Sequence, residues 1–404
     1  MAAQETPEQL MWDLNTENII PNVTWWWWWW LFFIHNPKDP KHWKQLMILW
    51  SIKDTKRIKV MDHIWIPKGK ITKTDNSLTF PGMVCAWFFD GKQMHDPYII
   101  QEKVFKSSWK SGAYSKKLKA QIVGAKHESG IGKKVSKVFG LPDFDKIGSG
   151  KLGVIDEDNF VFTGTPMRYN VKFHHEKDNF NFIIEPMSRF MSEPEFTFRK
   201  YIGKMGYTIY RIKGMKLSGE MSANGVSEKI SGSAYFQKIK LNSPAVPWYW
   251  GIFHFKGGGH LHYMIPHVGP SMFRTKVKPH SRLDWGEIKL SKTLDFFNAK
   301  NKKLYHFDKL ELKKDFTPEK LPIFNLLGSN QPGQRLELSI KSYAHAYWRF
   351  EQKTTIKSRI FFYNEYPAII TKLKIYGKDN SVLIDLKDLG DSIGHCEHSW
   401  GRLA

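Results

Sequence analysis

The feature that most constrains the fold of this chain is a two-residue alternation of apolar and polar side chains, which recurs along almost its whole length. It is clearest over strand-length stretches at residues 46–52, 83–89, 207–212, 248–255, 261–265, 347–353 and 369–376. Successive side chains of an extended strand point to opposite faces, so this period predicts strands. Turn sequences at residues 90–91, 224–225, 256–259 and 379–380 mark hairpins between them. Helical periodicity is confined to residues 289–301, where we expect one short helix.

The composition supports an all-β fold with two cores. Aromatic residues make up 15% of the chain, with 17 Trp and 28 Phe, and such side chains favour strands and fill large apolar interiors. A chain of 404 residues is too long for one ordinary core. Many short strands joined by turns are typical of β-sandwiches and barrels, so we predict two antiparallel all-β domains with few short helices.

A domain boundary is predicted where Pro244 and Pro247 interrupt the strand pattern, because proline cannot donate to a β-ladder. The boundary gives an N-terminal domain of residues 1–245 and a C-terminal domain of residues 246–404. Residues 110–150 are rich in Gly, Ser and Lys. We interpret them as an irregular insertion in the first domain, or as a lid over a barrel mouth.

The cysteine content and the apolar runs bear on the compartment. Only Cys85 and Cys396 are present, which is too few for a disulfide framework and is typical of a reducing environment. The longest apolar run, residues 25–34, has about half the length of a membrane-spanning helix. The first residues lack the basic and apolar pattern of a secretion signal. We therefore expect a cytoplasmic protein, with peripheral contact at a membrane left open.

The formal net charge of +22 indicates that anionic partners have to be considered. Lysine-rich stretches at residues 116–119 and 133–134 could serve nucleic acid, anionic lipid headgroups or solubility alone. Because the sequence has no zinc-ligand spacing, no aromatic RNA-binding signature and no basic helix, nucleic acid is the least favoured of the three. Contact with an anionic membrane surface and a merely solvated lysine face both remain open.

A family resemblance is carried by residues 210–263. The residues concerned are the stretch Tyr-Arg-Ile-Lys-Gly-Met-Lys-Leu-Ser-Gly-Glu-Met at 210–221, Ser-Gly-Ser-Ala-Tyr at 231–235 and Trp-Tyr-Trp-Gly at 248–251. Together with the aromatic segments 25–33 and 43–50, they resemble the carotenoid 1,2-hydratase (hydroxyneurosporene synthase) and AttH superfamily. The resemblance implies two lipocalin-like antiparallel β-barrel domains and a hydrophobic ligand, with alkene hydration or cyclisation as the chemistry of some members.

The sequence departs from that family where the chemistry would be carried. After the Ser-Gly-Ser-Ala-Tyr motif the hydratases have Asp-His-Glu-Trp, which supplies acid and base, whereas Gln237, Lys238 and Ile239 stand here. An amide cannot usefully protonate an alkene, and a lysine is a weak acid unless it is desolvated. The resemblance therefore implies the fold, but it does not by itself carry the reaction over.

Aromatic and histidine side chains supply the candidate ligand-binding residues. Hydration of an isoprenoid alkene passes through a carbocation, which aromatic faces stabilise. We predict a lining of this kind, although the same side chains could simply form a core. Geometry would also allow a metal at His254, His260 and His262, but no acidic partner is evident nearby, and we predict no metal and no cofactor. The predicted ligand-binding residues are Trp26, Trp28, Trp248, Trp250, His260, His262 and Tyr263.

A candidate replacement for the missing acid lies near the C-terminus. Residues 394–401 have the sequence Gly-His-Cys-Glu-His-Ser-Trp-Gly. We predict Glu397 as the proton donor and His398 as its partner, because burial beside Trp400 would raise the pKa of the carboxyl. The alternative is a closing strand with an exposed tail. The resulting hypothesis is a protein that binds a long isoprenoid, carotenoid-like or other lipid ligand and hydrates or cyclises an alkene. A carrier or scaffold that has lost this chemistry remains the second reading.

Overall fold

The structure is a computed structural model that describes residues 11–110, 149–155, 157–165, 167–192, 194–223, 225–273, 287–353 and 358–403. Most of the insertion predicted at residues 110–150 lies outside the described residues. Over the described residues the chain consists almost entirely of antiparallel strands, and the predicted all-β class is confirmed. Each stretch of alternation at 46–52, 83–89, 207–212, 248–255, 261–265, 347–353 and 369–376 lies within a strand.

The first sheet is a closed antiparallel barrel. Its strands run in the order β11-β10-β9-β8-β7-β6-β2-β1-β14-β13, and pairing of β11 with β13 closes the ring. Strand β12 also pairs with β13, and β5 pairs with β6. The strands are β1 (Trp25–Ile34), β2 (Lys44–Lys53), β5 (Thr72–Thr74), β6 (Ser77–Phe89), β7 (Met94–Lys110), β8 (Ser149–Val154), β9 (Phe160–Thr165), β10 (Arg168–His175), β11 (Asp178–Pro186), β12 (Glu195–Ile202), β13 (Met205–Ala223) and β14 (Val226–Asn242).

The second sheet is built mainly from the C-terminal part of the chain, in the order β19-β18-β16-β15-β26-β24-β22-β21-β20. Strands β17, β23 and β25 pair with it at its margins, and the short strands β3 and β4 join it from the N-terminal part. The strands are β3 (Ile58–Val60), β4 (His63–Trp65), β15 (Trp248–Phe255), β16 (Gly259–Val268), β17 (Ile288–Lys289), β18 (Thr293–Asn298), β19 (Lys303–Phe307), β20 (Lys309–Phe316), β21 (Pro322–Ser329), β22 (Arg335–Ser342), β23 (Ala346–Lys353), β24 (Ser358–Tyr376), β25 (Val382–Asp385) and β26 (Ser392–Gly401).

The described residues form three large apolar cores and one small cluster of Ile360, Phe362 and Trp400. One fills the barrel and one lies on the inner side of the second sheet. The third, which we call the inter-sheet layer, contains Trp29 and Trp87 of the barrel together with Trp250 and Trp348 of the second sheet. Strand β1 contributes to two of these cores, because its even-numbered residues face the barrel and Trp25, Trp29, Leu31 and Phe33 face the layer. A strand buried on both sides has no polar face, which explains its unbroken apolar sequence.

The N-terminal segment fills the barrel interior. Met11, Trp12 and Leu14 belong to the barrel core. Two hydrogen bonds hold the segment: the indole of Trp28 donates to the Met11 carbonyl at 2.8 Å, and the hydroxyl of Ser107 donates to the Trp12 carbonyl at 2.5 Å. The interior of the barrel is therefore a packed core that includes residues 11–14.

The helix predicted at residues 289–301 is wrong. Strand β18 occupies the middle of that stretch and pairs with β16 and β19, so cross-strand pairing overrides a weak helical pattern. The one α-helical element described, α1 (Arg189–Ser192), is a single turn. Among the described residues, no helix is long and apolar enough to cross a membrane.

Candidate functional site

Glu397 lies in the inter-sheet layer with both carboxyl oxygens engaged. The indole of Trp248 donates to Oε2 at 2.6 Å, and the hydroxyl of Tyr363 lies 2.5 Å from Oε1. The residue is 3% exposed. A carboxyl is thus held in a fixed orientation against aromatic rings, with the partly exposed Trp248 between it and the surface.

A second carboxyl, that of Glu365, lies in the same layer and is completely buried. Its Oε2 accepts hydrogen bonds from the indoles of Trp87 and Trp348, at 2.6 and 2.7 Å. Its Oε1 has no hydrogen-bond partner, and the closest basic group is Nε2 of His395 at 3.9 Å. Trp87 comes from the barrel and Trp348 from the second sheet, so this carboxyl ties the two sheets together.

The environment favours the neutral form of both carboxyl groups. Within the described part of the chain, neither Glu365 nor Glu397 forms an ion pair with a lysine or an arginine, and burying an uncompensated charge is costly. Desolvation raises the pKa of Glu397 to about 8, although the bonds from Tyr363 and Trp248 act in the opposite direction. Desolvation and the nearby Glu397 raise the pKa of Glu365 well above its usual value. The raised pKa of Glu397 favours its protonated form at neutral pH.

His395 completes the site as a neutral imidazole. Burial lowers its pKa to about 3, and neither ring nitrogen has a hydrogen-bond partner. Its ring stacks on Trp87 with centroids 5.6 Å apart and meets the edge of Trp29 at 6.1 Å. Trp250 closes the third side at 6.3 Å. The carboxyl groups of Glu365 and Glu397 thus lie close to the uncharged imidazole of His395. That ring packs against the indoles of Trp29, Trp87 and Trp250.

Strand alternation in β26 separates the predicted acid from its predicted partner. His395 and Glu397 are two residues apart and share the inter-sheet face, whereas His398 faces the other core. There the ring of His398 stacks on Tyr249 at 4.4 Å, and it lies 5.3 Å from Trp400. The structure therefore does not bring Glu397 and His398 together, and His395 takes the place predicted for His398.

The four predicted tryptophans fall into two separate cores. Trp248 and Trp250 are at the site, where Trp248 holds Glu397 and Trp250 packs against His395. Trp26 and Trp28 belong to the barrel core instead. Their indoles donate to the backbone carbonyls of Asn15 and Met11, so they hold the N-terminal segment against the barrel wall.

The predicted histidines of β16 lie at the edge of the site. His262 accepts a hydrogen bond from the indole of Trp250 at 3.0 Å. His260, two residues earlier in β16, lies on the same strand face. Tyr263 points to the opposite face, into the core of the second sheet. His254 bonds to Ser233 and to a backbone carbonyl, so the three histidines do not converge on one point as a metal site would require.

Sequence reasoning missed Glu365 and the side chains that hold it, Trp87 and Trp348. The available signal was a single acidic residue within the aromatic run of residues 361–366, Phe-Phe-Tyr-Asn-Glu-Tyr. An acidic residue in an apolar strand is a signal of function, because a buried carboxyl group needs hydrogen-bond or charged partners to offset the cost of burial. A surface depression of about 420 Å³ lies away from the site, between β11, β13 and β14, and is lined mainly by polar side chains. That depression offers no apolar ligand pocket.

No protein-family model matches this sequence, and no curated protein matches it. Solved structures do match. A Nitrosomonas europaea protein described as AttH is 10% identical, covers 96% of this chain and 97% of its own, and has a TM-score of 0.47. CghA, solved with Sch210972, is 7% identical over 98% of this chain and 96% of its own, with a TM-score of 0.49. Kievitone hydratase from Nectria haematococca is 10% identical over 98% and 96%, with a TM-score of 0.35.

Proposed function

We propose that this protein binds a long apolar alkene of the isoprenoid class in the inter-sheet layer and protonates it from Glu397, leading to hydration or cyclisation. The observation that carries the proposal is the burial of Glu397 among indole rings without a cation. A carboxyl with a pKa of about 8 is largely protonated at neutral pH. The raised pKa keeps the proton on the carboxyl at neutral pH, so that a proton is present for transfer to the alkene.

The site supplies the remaining steps with its own residues. Transfer of the Glu397 proton to one alkene carbon leaves a carbocation on the other, which the faces of Trp29, Trp87 and Trp250 stabilise. In hydration, the oxygen of one water attacks the cation and its surplus proton returns to Glu397. In cyclisation, a second double bond attacks, and the carbon next to the new cation loses a proton to Glu397. Both routes regenerate the acid and need no other reagent.

Tyr363 and His395 have supporting roles in this scheme. The hydroxyl of Tyr363 donates to Oε1 of Glu397 across the 2.5 Å contact and so holds the carboxyl in place. His395 is neutral and has two unpartnered ring nitrogens, which suits it to orient the attacking water. Trp248 donates to Glu397 and is itself only partly buried. We therefore place the substrate path at Trp248, whose movement would admit the ligand.

The test is an assay of wild type and Glu397→Gln with geraniol, farnesol and lycopene, using mass spectrometry to detect addition of water or an isomeric cyclic product. We expect turnover by the wild type and its loss in Glu397→Gln, with ligand-induced quenching of Trp fluorescence retained. Removal of a general acid typically costs about two to four orders of magnitude in rate. Glu337→Gln is the matched control, because this carboxyl lies on the same sheet but is paired with Lys372 near the surface.

Two results would overturn the proposal. Equal turnover by wild type and Glu397→Gln would remove Glu397 from the chemistry. Binding of the three ligands without turnover, together with activity gained in Gln237→Asp, would identify a carrier that has lost the chemistry of the family it resembles. Loss of fluorescence quenching in Trp250→Phe would still place the ligand in the inter-sheet layer in that case.

A further inference from the structure

A second group of ionisable side chains lies on the other side of β26, in the core of the second sheet. His267 of β16 and His398 of β26 approach Glu287, the residue before β17. Nδ1 of His267 and Nε2 of His398 are each 3.9 Å from Oε1 of Glu287. One ligand atom from each of the three residues lies within 4.8 Å of the others. The proposed acid chemistry uses none of them.

The histidine nitrogens of this group lack partners. Both ring nitrogens of His267 and Nε2 of His398 are buried without a hydrogen bond. His267 is 0% exposed and His398 is 5% exposed. Burial of unpaired polar atoms is unfavourable, so three buried histidine nitrogens without partners beside one carboxyl group indicate a binding site.

Neighbouring side chains hold two of these groups in position. The hydroxyl of Tyr249 lies 2.9 and 2.8 Å from the two carboxyl oxygens of Glu287. The ring of Tyr249 also stacks on His398 with an interplanar angle of 8°. A hydrogen bond that orients a carboxylate and a stacked ring that orients an imidazole are the supports that metal ligands usually have.

We propose that His267, Glu287 and His398 bind a divalent transition metal of the zinc class. Two imidazoles and one carboxylate are an established zinc ligand set, with metal–ligand distances of about 2.0–2.2 Å and a fourth position left for water. In a tetrahedral site such ligand atoms stand about 3.3 Å apart, so the observed 3.9 Å separations close with small side-chain movements. Burial also lowers the pKa of both imidazoles, which keeps them in the neutral form that a metal needs.

The comparable trio in the inter-sheet layer does not fit a metal as well. Of the four carboxyl oxygens of Glu365 and Glu397, three already face indole or phenol donors. In the His267 group the hydroxyl of Tyr249 donates to the carboxyl of Glu287, while three histidine nitrogens have no hydrogen-bond partner. Lys314 opposes the metal, because its ammonium lies 5.5 Å from the Tyr249 ring and its charge acts on both histidines. Lys314→Met should therefore tighten metal binding.

The experiment titrates chelator-treated full-length protein with zinc(II) in competition with a chromophoric chelator, and with cobalt(II) followed by its visible absorption. We expect one equivalent of zinc to bind and cobalt to give the intense spectrum of a tetrahedral site. His267→Gln, Glu287→Gln and His398→Gln should each weaken binding by more than about tenfold, since even outer-shell changes cost about that much. Zinc should raise the Tm of the wild type and not that of the three variants.

The matched control is His260→Gln, which removes another buried β16 histidine whose ring nitrogens have no partner. This variant should bind zinc as the wild type does. The proposal is overturned if the wild type takes up no zinc and gives no tetrahedral cobalt spectrum, a result that does not depend on any variant folding. Equal losses in His260→Gln and His267→Gln would overturn it as well.

Discussion

Burial raises the pKa of Glu397 more than its two hydrogen bonds lower it. This net shift makes the free energy of unfolding depend on pH. The pKa of this carboxyl is about 8 in the folded protein, against an ordinary value of 4.5. The folded state therefore binds the proton more tightly than the unfolded state. The stabilisation is complete below about pH 4.5 and is lost as pH rises through about 8, at about 1.4 kcal/mol for each pKa unit.

Glu397→Gln should remove this pH dependence, because the amide stays neutral at every pH. We expect the variant to gain free energy of unfolding relative to the wild type as pH rises from 5 to 8.5, by a few kcal/mol. Urea denaturation at the two pH values measures the difference. Glu337→Gln should show no such gain, since Lys372 lowers the pKa of that carboxyl. A constant difference between wild type and Glu397→Gln would mean that Glu397 is ionised throughout.

Trp248 tunes the same carboxyl through its indole N–H, which lowers the pKa of Glu397. Trp248→Phe keeps an aromatic ring but removes this donor, so the pKa of Glu397 should rise further. Infrared difference spectra of the protonated carboxyl, recorded against pH, should show its loss at higher pH than in the wild type. Trp26→Phe, a change within the barrel core, should leave this midpoint where it is. A downward shift in Trp248→Phe would contradict the assigned role.

At the scale of elements, the N-terminal segment, residues 11–14, packs inside the barrel against β8 and β9. Trp12 is completely buried and contacts Phe162 at 4.7 Å between ring centroids. Gly150 of β8 makes room for it, because a Cβ there would stand 2.2 Å from the indole of Trp12. The close approach of strand and indole explains why a residue without a side chain occupies this position.

Trp12→Ala should therefore leave a large cavity in the barrel and cost about 3–5 kcal/mol of unfolding free energy. Gly150→Ala should also be destabilising, because the added methyl overlaps the ring. Denaturation midpoints in guanidinium chloride measure both effects. Trp43→Ala serves as the comparison, since Trp43 is only partly buried and should cost much less. Equal midpoints for Trp12→Ala and the wild type would show that the segment does not fill the barrel in solution.

For the whole molecule, the inter-sheet layer determines whether the chain unfolds in one step or two. Trp29 and Trp87 of the barrel pack in one core with Trp250 and Trp348 of the second sheet. Strand β3, which precedes most of the barrel in the chain, pairs with β23 of the second sheet. The division at residues 245 and 246 stays a prediction, and neither part could separate without exposing this layer.

We expect the full chain to unfold in a single cooperative transition. Far-ultraviolet circular dichroism and Trp fluorescence should give coincident midpoints, with equal calorimetric and van't Hoff enthalpies. Trp250→Ala, at the centre of the layer, should lower both midpoints together, as a loss of about 3–5 kcal/mol would. Two separate transitions, of which Trp250→Ala shifts only one, would show that the two sheets are independent folding units.

The sequence alone was enough to predict most of the strands and to propose some of the residues of the candidate site. Alternation located the strands, because neighbouring side chains of a strand must enter different environments. The sequence also predicted Glu397, Trp248 and Trp250 as site residues; the structure places them in one layer, and their role stays a prediction. The unbroken apolar sequence of β1 is also the pattern of a strand buried on both faces.

Only the tertiary structure decided which residues share a core. Trp87 and Glu365 are bonded although they lie 278 residues apart, and no local pattern specifies such a pair. A shift of one residue along a strand exchanges its two faces, which is why Glu397 meets His395 while His398 meets His267 and Glu287. Sheet order and register are fixed by packing over the whole chain, and they separate the acid site from the proposed metal site across a single strand.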